Sequence, residues 1–151
     1  MQKNVIIYLA GPLFTQAERI WNKNLADEIT LAIPNSKVIL PQVKALDYVK
    51  EEGTDFQGIV ERCMRDIEES DVIVAVLDGS DADSGTCWEC GYAYAKGKQV
   101  IGVRTDLRGS EDEGLNAMLR RTCKTVIYSP ATNEDVQNLA QEIACVILEA
   151  E

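Results

Sequence analysis

The sequence has 151 residues, of which 46% are hydrophobic, and its net charge is -10. The length suits one domain with a substantial core, and the charge argues against nucleic-acid polymers and anionic membranes as partners. The chain contains no histidine, so proton transfer near pH 7 must fall to a carboxyl group with a shifted pKa, a Tyr, a Cys or a Lys.

The cysteine content and the hydropathy predict a cytoplasmic protein. Five cysteines form no regular framework, which is typical of reduced thiols. No apolar stretch approaches the roughly 20 residues that a membrane span needs, and no basic-then-apolar leader opens the chain.

The first half of the chain alternates strand-like and helix-like patterns. A buried strand is predicted at 4–9, followed by a helix at 15–33 that a Thr-x-x-Glu capping box opens. A short strand is predicted at 37–40, and a polar loop follows it to about Thr54. An amphipathic helix is predicted next, at 55–70.

The second half continues the alternation and ends in a helix. Its predicted elements are a strand at 71–77, a helix at 84–95 with Gly97 as its C-cap, a strand at 99–103, a short helix at 115–121, a strand at 125–128 and a final helix capped by Thr132.

Five strands with intervening helices predict a single α/β domain over residues 1–151. The sheet should be parallel with helices on both faces, and we choose the flavodoxin-like strand order 2-1-3-4-5. In such a sheet the ligand crevice lies outside the carboxyl ends of the first and third strands. The loops after Leu9, Leu77 and Val103 would meet there.

Glu89 is the single charge in the apolar run 86–95. The run follows an acidic, glycine-containing turn at 78–85, which itself follows the apolar strand 71–77. A desolvated carboxylate beyond the end of a buried strand is costly, and such costs are usually functional. Thr86-x-x-Glu89 also matches a capping box, in which Glu89 would only bind a backbone N–H. Spacing alone leaves both interpretations open.

The loop after the first strand suits a flat heterocycle. Gly11 and Pro12 are followed by Leu13 and Phe14, and the loop carries no basic residue for a phosphate. The glycine-rich fingerprints of dinucleotide-binding and P-loop proteins are missing. An ordinary Gly-Pro turn is the alternative.

Three further side chains have both a structural and a functional interpretation. Asp83 is either a helix N-cap or a ligand-binding group. Asp66 lies late in its helix, where it either serves a site or pairs with Arg62 or Arg65. Tyr8 ends an apolar strand, where a core tyrosine with a satisfied hydroxyl is the default.

Cys87-x-x-Cys90 has the spacing of a metal or redox pair. Zinc would need two more ligands, and the sequence offers neither a second pair nor a histidine. We therefore predict buried free thiols and no metal.

Together these residues resemble the nucleoside 2-deoxyribosyltransferase family. The central stretch from Asp83 to Ala93 is the specific part of the match, which covers most of the chain. In chain order the motifs are Tyr8-Leu-Ala-Gly-Pro-Leu-Phe14, then Asp66, then Asp83-Ser-Gly-x-x-x-Glu89-x-Gly-Tyr-Ala93, then Asn116-Ala-Met118.

The resemblance implies roles for four of these side chains. Glu89 matches the nucleophile that attacks the anomeric carbon, and Tyr8 matches the tyrosine that orients it. Asp83 matches the acid that holds a sugar hydroxyl. Asp66 matches the acid near the base, where it assists protonation of the leaving base. Gly11, Pro12 and Phe14 would line the substrate site.

The resemblance also implies an assembly and a reaction. Asn116 and Met118 match residues that a neighbouring subunit supplies, so a homo-oligomer with shared active sites is expected. The activity would be transfer of 2-deoxyribose from a deoxynucleoside to a free nucleobase in nucleobase salvage. Such a reaction needs no cofactor.

Two other functions remain open at this point. One is a hydrolase on the same fold that acts on deoxynucleosides or their 5′-monophosphates, and a related branch that hydrolyses the monophosphates has Ser where this chain has Asp83. The charge of Asp83 would repel a 5′-phosphate, although an Arg in the loop 104–114 could meet one. The other possibility is a catalytically silent module that senses nucleotides.

Overall fold

A five-stranded parallel sheet forms the centre of the protein. The structure is a computed structural model, and it describes residues 4–109, 112, 114–130 and 135–149. Every neighbouring pair of strands in the sheet is parallel. The strands are β1 (Val5–Ala10), β2 (Ser36–Ile39), β5 (Val72–Val76), β6 (Gln99–Arg104) and β7 (Thr125–Tyr128), in the order β2-β1-β5-β6-β7.

Counted among these five strands alone, the order is 2-1-3-4-5, which confirms the predicted flavodoxin-like topology. The helices are α1 (Gln16–Ala32), α2 (Pro41–Lys44), α3 (Phe56–Glu69), α4 (Ser84–Ala95), α5 (Ala117–Thr122) and α6 (Val136–Leu148).

The two faces of the sheet carry separate apolar cores because side chains alternate along each strand. Ile7 of β1 points toward α1 and α6, where it packs in a cluster with Leu25 and Ile143. Tyr8, the next residue, belongs to the opposite cluster, which includes Cys90 of α4. This alternation turns the Tyr8 side chain toward α3 and α4.

The segment up to Thr54, predicted as a polar loop, contains short regular elements that the prediction did not include. The segment instead forms α2, a 3₁₀ helix at Ala45–Tyr48 and a small antiparallel hairpin of β3 (Val49–Lys50) with β4 (Gly53–Thr54). Pro41 opens α2, since proline is well tolerated in the first turn of a helix. Elements this short show no measurable periodicity in sequence.

Several predicted helix ends are confirmed and others shift slightly. The capping box of α1 is present in full. The C-cap of α4 is Lys96, and Gly97 follows it with φ of 72°. Helix α5 begins two residues later than predicted, after its N-cap Asn116. The predicted cap Thr132 lies outside the described residues, and Asp135 caps α6.

No helix in the described part of the chain is long and apolar enough to cross a membrane.

Candidate active site

A cavity of about 590 Å³ opens where β1 ends. Its walls come from the loop after β1, the segment 41–48 and the facing sides of α3 and α4. Three acids line it, Asp66, Asp83 and Glu89, together with the cations Lys44 and Arg62. The rest of the wall is largely apolar and includes the side chains of Leu13, Phe14, Tyr48, Phe56, Ile59, Val60 and Trp88.

Glu89 lies in this cavity with its carboxylate held by a buried tyrosine. The hydroxyl of Tyr8 donates a hydrogen bond of 2.6 Å to Glu89 Oε1, and Tyr8 has no exposed surface. Burial raises the pKa of Glu89 to about 7, and the charge of Asp83 adds to the rise. Hydrogen bonds from Tyr8 and Cys63 act in the opposite direction and lower this pKa.

The capping-box interpretation of Glu89 was wrong. Helix α4 is capped by Asp83, whose Oδ2 accepts from the Thr86 backbone N–H at 2.9 Å and from the Thr86 hydroxyl at 3.1 Å. Thr86 therefore lies inside the first turn and cannot be the cap. The carboxylate of Glu89 bonds a side chain across the cavity, which leaves it able to meet a ligand.

Asp83 has the capping role that the sequence allowed, and its ligand-binding role stays a prediction. It is the N-cap of α4, and it also lines the cavity. Among the described residues, both of its hydrogen bonds reach Oδ2. The second oxygen, Oδ1, is therefore available to a hydroxyl group of a ligand.

Asp66 is paired with Arg62, as the structural interpretation of its sequence position predicted. Arg62 Nε lies 3.0 Å from Asp66 Oδ1 and 2.9 Å from Oδ2. Asp66 is only 2% exposed, yet it lines the same cavity as Glu89. The ion pair therefore belongs to the wall of the site.

Sequence reasoning missed Cys63, which lines the cavity with Glu89 and acts to lower the pKa of the Glu89 carboxyl. Burial raises the pKa of the Cys63 thiol, so it acts as a neutral donor. Its spacing of three residues from Asp66 places both on one face of α3, and this signal was available in the sequence. Lys44 and Tyr48 were missed because their segment was predicted to be a loop.

Phe56 and Trp88 form exposed apolar walls of the cavity. Their side chains are large and apolar, yet their exposed fractions are 74% and 51%. Their rings are therefore accessible to a flat ring bound in the cavity. Phe14 of the β1 loop is similarly exposed and lines the same space. Aromatic faces of this kind suit a heterocyclic base.

Gly11 lines the cavity as predicted, whereas Pro12 does not. A Cβ at Gly11 would lie 3.2 Å from Val76 Cβ, so a larger residue in this loop would press against β5. The carbonyl of Pro12 turns away and accepts a hydrogen bond of 2.9 Å from Asn22 Nδ2.

Asn116 and Met118 line a different cavity, of about 500 Å³, on the other side of α4. Asn116 caps α5 by accepting from the Met118 backbone N–H at 3.0 Å. The Met118 side chain is 81% exposed. Within one chain, therefore, these two residues are not brought to Glu89.

The cysteine pair is reduced in this structure. Cys87 and Cys90 are both free, and Cys90 is buried in the core between the sheet and α4. Within the described ranges, no three His, Cys, Asp or Glu side chains stand close enough together to hold a metal ion.

Solved structures share this fold over nearly the whole chain. A conserved protein from Enterococcus faecalis V583 is 28% identical, with a TM-score of 0.78 over 93% of this chain and 98% of that one. A 2-deoxyribosyltransferase from Bacillus psychrosaccharolyticus is 21% identical, with a TM-score of 0.69 over 90% of each chain. A CMP N-glycosidase from Clostridium botulinum is 17% identical, with a TM-score of 0.59 over 93% of this chain and 98% of that one.

A comparison with curated protein sequences finds no match. The sequence model of the nucleoside 2-deoxyribosyltransferase family matches residues 7–120, a range that contains every side chain described above in the Glu89 cavity. The protein therefore belongs to the nucleoside 2-deoxyribosyltransferase family, whose members act on nucleosides and nucleobases.

Proposed function

We propose that this protein transfers 2-deoxyribose from a deoxynucleoside to another nucleobase through a covalent intermediate on Glu89. The observation that carries the proposal is the carboxylate of Glu89, hydrogen-bonded by the buried Tyr8 hydroxyl at 2.6 Å in a cavity with apolar and aromatic walls. A role in nucleobase salvage in the cytoplasm would follow from this activity.

The reaction would proceed as a double displacement. A carboxylate oxygen of Glu89 attacks C1′ while the N-glycosidic bond breaks, and the bonding electron pair leaves with the base, which gains a proton. The transition state resembles an oxocarbenium ion, which a nearby carboxylate stabilises. A nitrogen of the second base then attacks C1′ and the ester C–O bond breaks, which regenerates the carboxylate, while the N–H proton of that base passes to Asp66.

Glu89 must be ionised to attack, and its raised pKa makes this step sensitive to pH. With a pKa of about 7, the ionised fraction increases as the pH rises through neutrality. Tyr8 stays a neutral donor because burial and the charge of Glu89 hold the pKa of its hydroxyl above the usual value. Tyr8 can therefore orient the nucleophile without taking its proton.

Asp66 would act at the base end of the cavity. As an acid facing the base, it would protonate the base as the N-glycosidic bond breaks, so that the base leaves in a neutral form. Proton delivery requires that the contact with Arg62 loosens, because Arg62 Nε contacts both oxygens of Asp66. The ion pair is thus part of the proposed machinery.

Asn116 and Met118 would complete the site of a neighbouring subunit. In their own chain they line another cavity, and Met118 exposes most of its side chain. An exposed methionine next to a helix-capping amide can enter a partner's cavity without rearrangement of the core. We therefore propose a homo-oligomer with shared sites.

Product analysis tests the proposal directly. The protein is incubated with one deoxynucleoside, with and without a second free base, and the products are separated by chromatography. Transfer produces a new deoxynucleoside only when the second base is present. Free base as the sole product in both mixtures would instead show hydrolysis, and no product from any substrate would favour a nucleotide sensor.

Hydrolysis of deoxynucleosides or their 5′-monophosphates is the second candidate. Lys44 and Arg62 line the Glu89 cavity, so the site contains cations that the β1 loop does not provide. A phosphate could meet either of them. The fold is also shared with the Clostridium botulinum protein described as a CMP N-glycosidase. Comparison of a deoxynucleoside with its 5′-monophosphate in the same assay separates these substrates.

Substitution of Asp83 tests its proposed contact with a sugar hydroxyl. Asp83→Ala should lower kcat/KM by about 10- to 150-fold, since a hydrogen bond to a charged group contributes roughly 1.5–3 kcal/mol. It also removes the cap of α4, which costs about 0.5–2 kcal/mol of stability. Asp83→Asn is the matched control, because asparagine caps helices as well as aspartate does.

Both variants should lose activity, and only the alanine variant should lose stability in denaturant unfolding. Asp83→Ser should in addition raise turnover of 5′-monophosphates relative to deoxynucleosides, because it removes a charge that repels phosphate. An unchanged ratio would show that charge repulsion does not set this preference. If Asp83→Ala kept the parental activity, the proposed contact between Asp83 and a sugar hydroxyl would be refuted.

A further inference from the structure

Arg62 lines the Glu89 cavity with part of its guanidinium free of hydrogen bonds. Its Nε donates to both oxygens of Asp66, one helical turn further along α3, at 3.0 Å and 2.9 Å. Among the described residues, no hydrogen bond joins Nη1 or Nη2 to another group. Asp66 lines the same cavity. The pair therefore presents unused guanidinium donors beside a carboxyl group.

The two members of this pair differ in exposure. Asp66 is buried, whereas the Arg62 side chain is 36% exposed. A buried carboxylate is unfavourable without a cation, so the contact with Asp66 holds the guanidinium in place. Arginine keeps its charge and offers donors only. A ligand in the cavity must therefore place acceptors, and not donors, against the Nη groups.

Flat ring surface lies in the same cavity. Phe14, Phe56 and Trp88 all belong to its wall. Trp88 is held in position by stacking on Tyr92, with ring centroids 5.2 Å apart and an angle of 8° between the planes. A base with two fused rings covers more of these aromatic faces than a base with one ring does. The wall thus favours a purine.

One edge of a purine carries the groups that distinguish the common purines. Hypoxanthine and guanine have two neighbouring acceptors there, N7 and O6, whereas adenine has the N7 acceptor beside a 6-amino donor. In the proposed reaction Asp66 protonates the base, and N7 is a basic nitrogen that is remote from the sugar. Because Arg62 Nε contacts the same carboxyl group, N7 at Asp66 brings the substituent at position 6 next to the Nη donors.

We propose that Arg62 selects 6-oxopurine deoxynucleosides by donating a hydrogen bond to O6 while Asp66 protonates N7. The inference rests on the proposed function and names the substrate class of that site. One oxygen of Asp66 gives its proton to N7, and the other stays with Arg62 Nε. The electron pair of the C1′–N9 bond leaves with N9, so the base departs as a neutral molecule. A 6-aminopurine instead turns a donor toward donors, which leaves both without an acceptor.

Four deoxynucleosides that vary positions 2 and 6 separately test this selection. Deoxyinosine and deoxyguanosine have a carbonyl at position 6, whereas deoxyadenosine and 2,6-diaminopurine deoxyribonucleoside have an amino group there. With unsubstituted purine as the common acceptor, kcat/KM should be at least about tenfold higher for each oxo donor than for the amino donor with the same group at position 2. Equal values within each pair would overturn the proposal.

Arg62→Met removes the donors and keeps most of the length of the side chain. Asp66 loses its cation in this variant, so turnover of all four donors should fall, and this common loss cancels in the ratio of oxo to amino donors. The ratio itself should fall about tenfold. Arg65→Met is the matched control, because Arg65 is an exposed arginine of the same helix that does not line the cavity. It should keep the parental ratio.

The same variant distinguishes a base contact from a phosphate contact. If Arg62 met a phosphate, Arg62→Met would lower turnover of deoxynucleoside 5′-monophosphates and leave the ratio of oxo to amino donors at its parental value. That result would overturn the proposal. A fall in the ratio that is equal for the deoxynucleosides and for their monophosphates would support it.

Binding of free bases separates this inference from the proposed reaction. In calorimetry, hypoxanthine should bind the parent protein at least about tenfold more tightly than adenine, and Arg62→Met should remove the difference. If no new deoxynucleoside forms while this preference persists, the proposed reaction fails and the base assignment stands. Equal affinity of the parent for the two bases would overturn the assignment, whatever products form.

A second variant covers the case in which Arg62→Met does not fold. Arg62→Met combined with Asp66→Asn removes both charges, so no unpaired carboxylate remains buried. Its affinities for hypoxanthine and adenine should agree within about threefold. A parental preference for hypoxanthine in this double variant would show that Arg62 does not read position 6.

Discussion

Glu89→Gln is expected to lower turnover by more than about 10³-fold, because an amide cannot form the glycosyl ester. The two side chains have the same shape, and the amide oxygen can still accept the hydrogen bond from Tyr8. The fold should therefore be retained, which circular dichroism and denaturant unfolding would show. The measurement is steady-state transfer between a deoxynucleoside and a second base.

Glu61→Gln provides a matched control for the loss of a carboxylate. Glu61 is an exposed residue of α3 whose carboxylate accepts a hydrogen bond from Gln57, and it does not line the cavity. This variant should keep parental activity. Activity of Glu89→Gln within tenfold of the parent would exclude Glu89 as the covalent nucleophile.

Mixed oligomers of two inactive variants are expected to regain activity if subunits share sites. Glu89→Gln inactivates the site through one chain, and Asn116→Ala inactivates it through the neighbour. In a mixed oligomer some sites combine an intact Glu89 with an intact Asn116, while others carry both lesions. Co-expression with two different purification tags would isolate the mixed species, and its activity should exceed that of either variant by more than about tenfold.

Glu89→Gln mixed with Asp83→Ala is the control for this experiment. Both residues line the same cavity of one chain, so no combination of these subunits creates an intact site. This mixture should show no more activity than its Asp83→Ala subunits have on their own. A fully active monomer in light scattering, or no recovery in a confirmed mixed oligomer of Glu89→Gln with Asn116→Ala, would contradict shared sites.

The fold was predictable because its main elements are long and periodic. The strands of the sheet are apolar runs, and α3 shows apolar residues at helical spacing. The segment 41–54 was not predictable in this way, because its elements span two to four residues each. Lys44 and Tyr48, which lie in this segment and line the cavity, were therefore not identified from the sequence.

Parts of the candidate site were also visible in the sequence. Glu89 and Asp83 are noticeable because they interrupt or border an apolar run after a buried strand. Tyr8 looks like a core residue and is one, with no exposed surface. Its contact with Glu89 joins residues 81 positions apart, which no local pattern specifies. Periodicity and spacing therefore identified candidate residues but not their contacts.

The position of Asn116 shows a further limit of sequence reasoning. Its local role as the cap of α5 follows from a helix signal. The proposed entry of Met118 into the cavity of another chain would depend on a subunit contact, and a subunit contact leaves no periodic pattern in sequence. Only an experiment on the assembly, such as the mixed oligomers above, addresses it.

The buried position of Glu89 also lowers the free energy of unfolding at neutral and higher pH. Its pKa rises from 4.5 to about 7 on folding, so the folded state holds the proton more tightly. The resulting stability is fully present below about pH 4.5 and is lost as the pH rises through 7, by roughly 3 kcal/mol in total. Glu89→Gln should therefore be more stable than the parent at pH 8 and equally stable near pH 4.5 in denaturant unfolding. An equal difference at both pH values would show that ionisation is not its cause. Keeping the proposed nucleophile out of water thus makes the ionised form, which the proposed reaction needs, the less stable form of the protein.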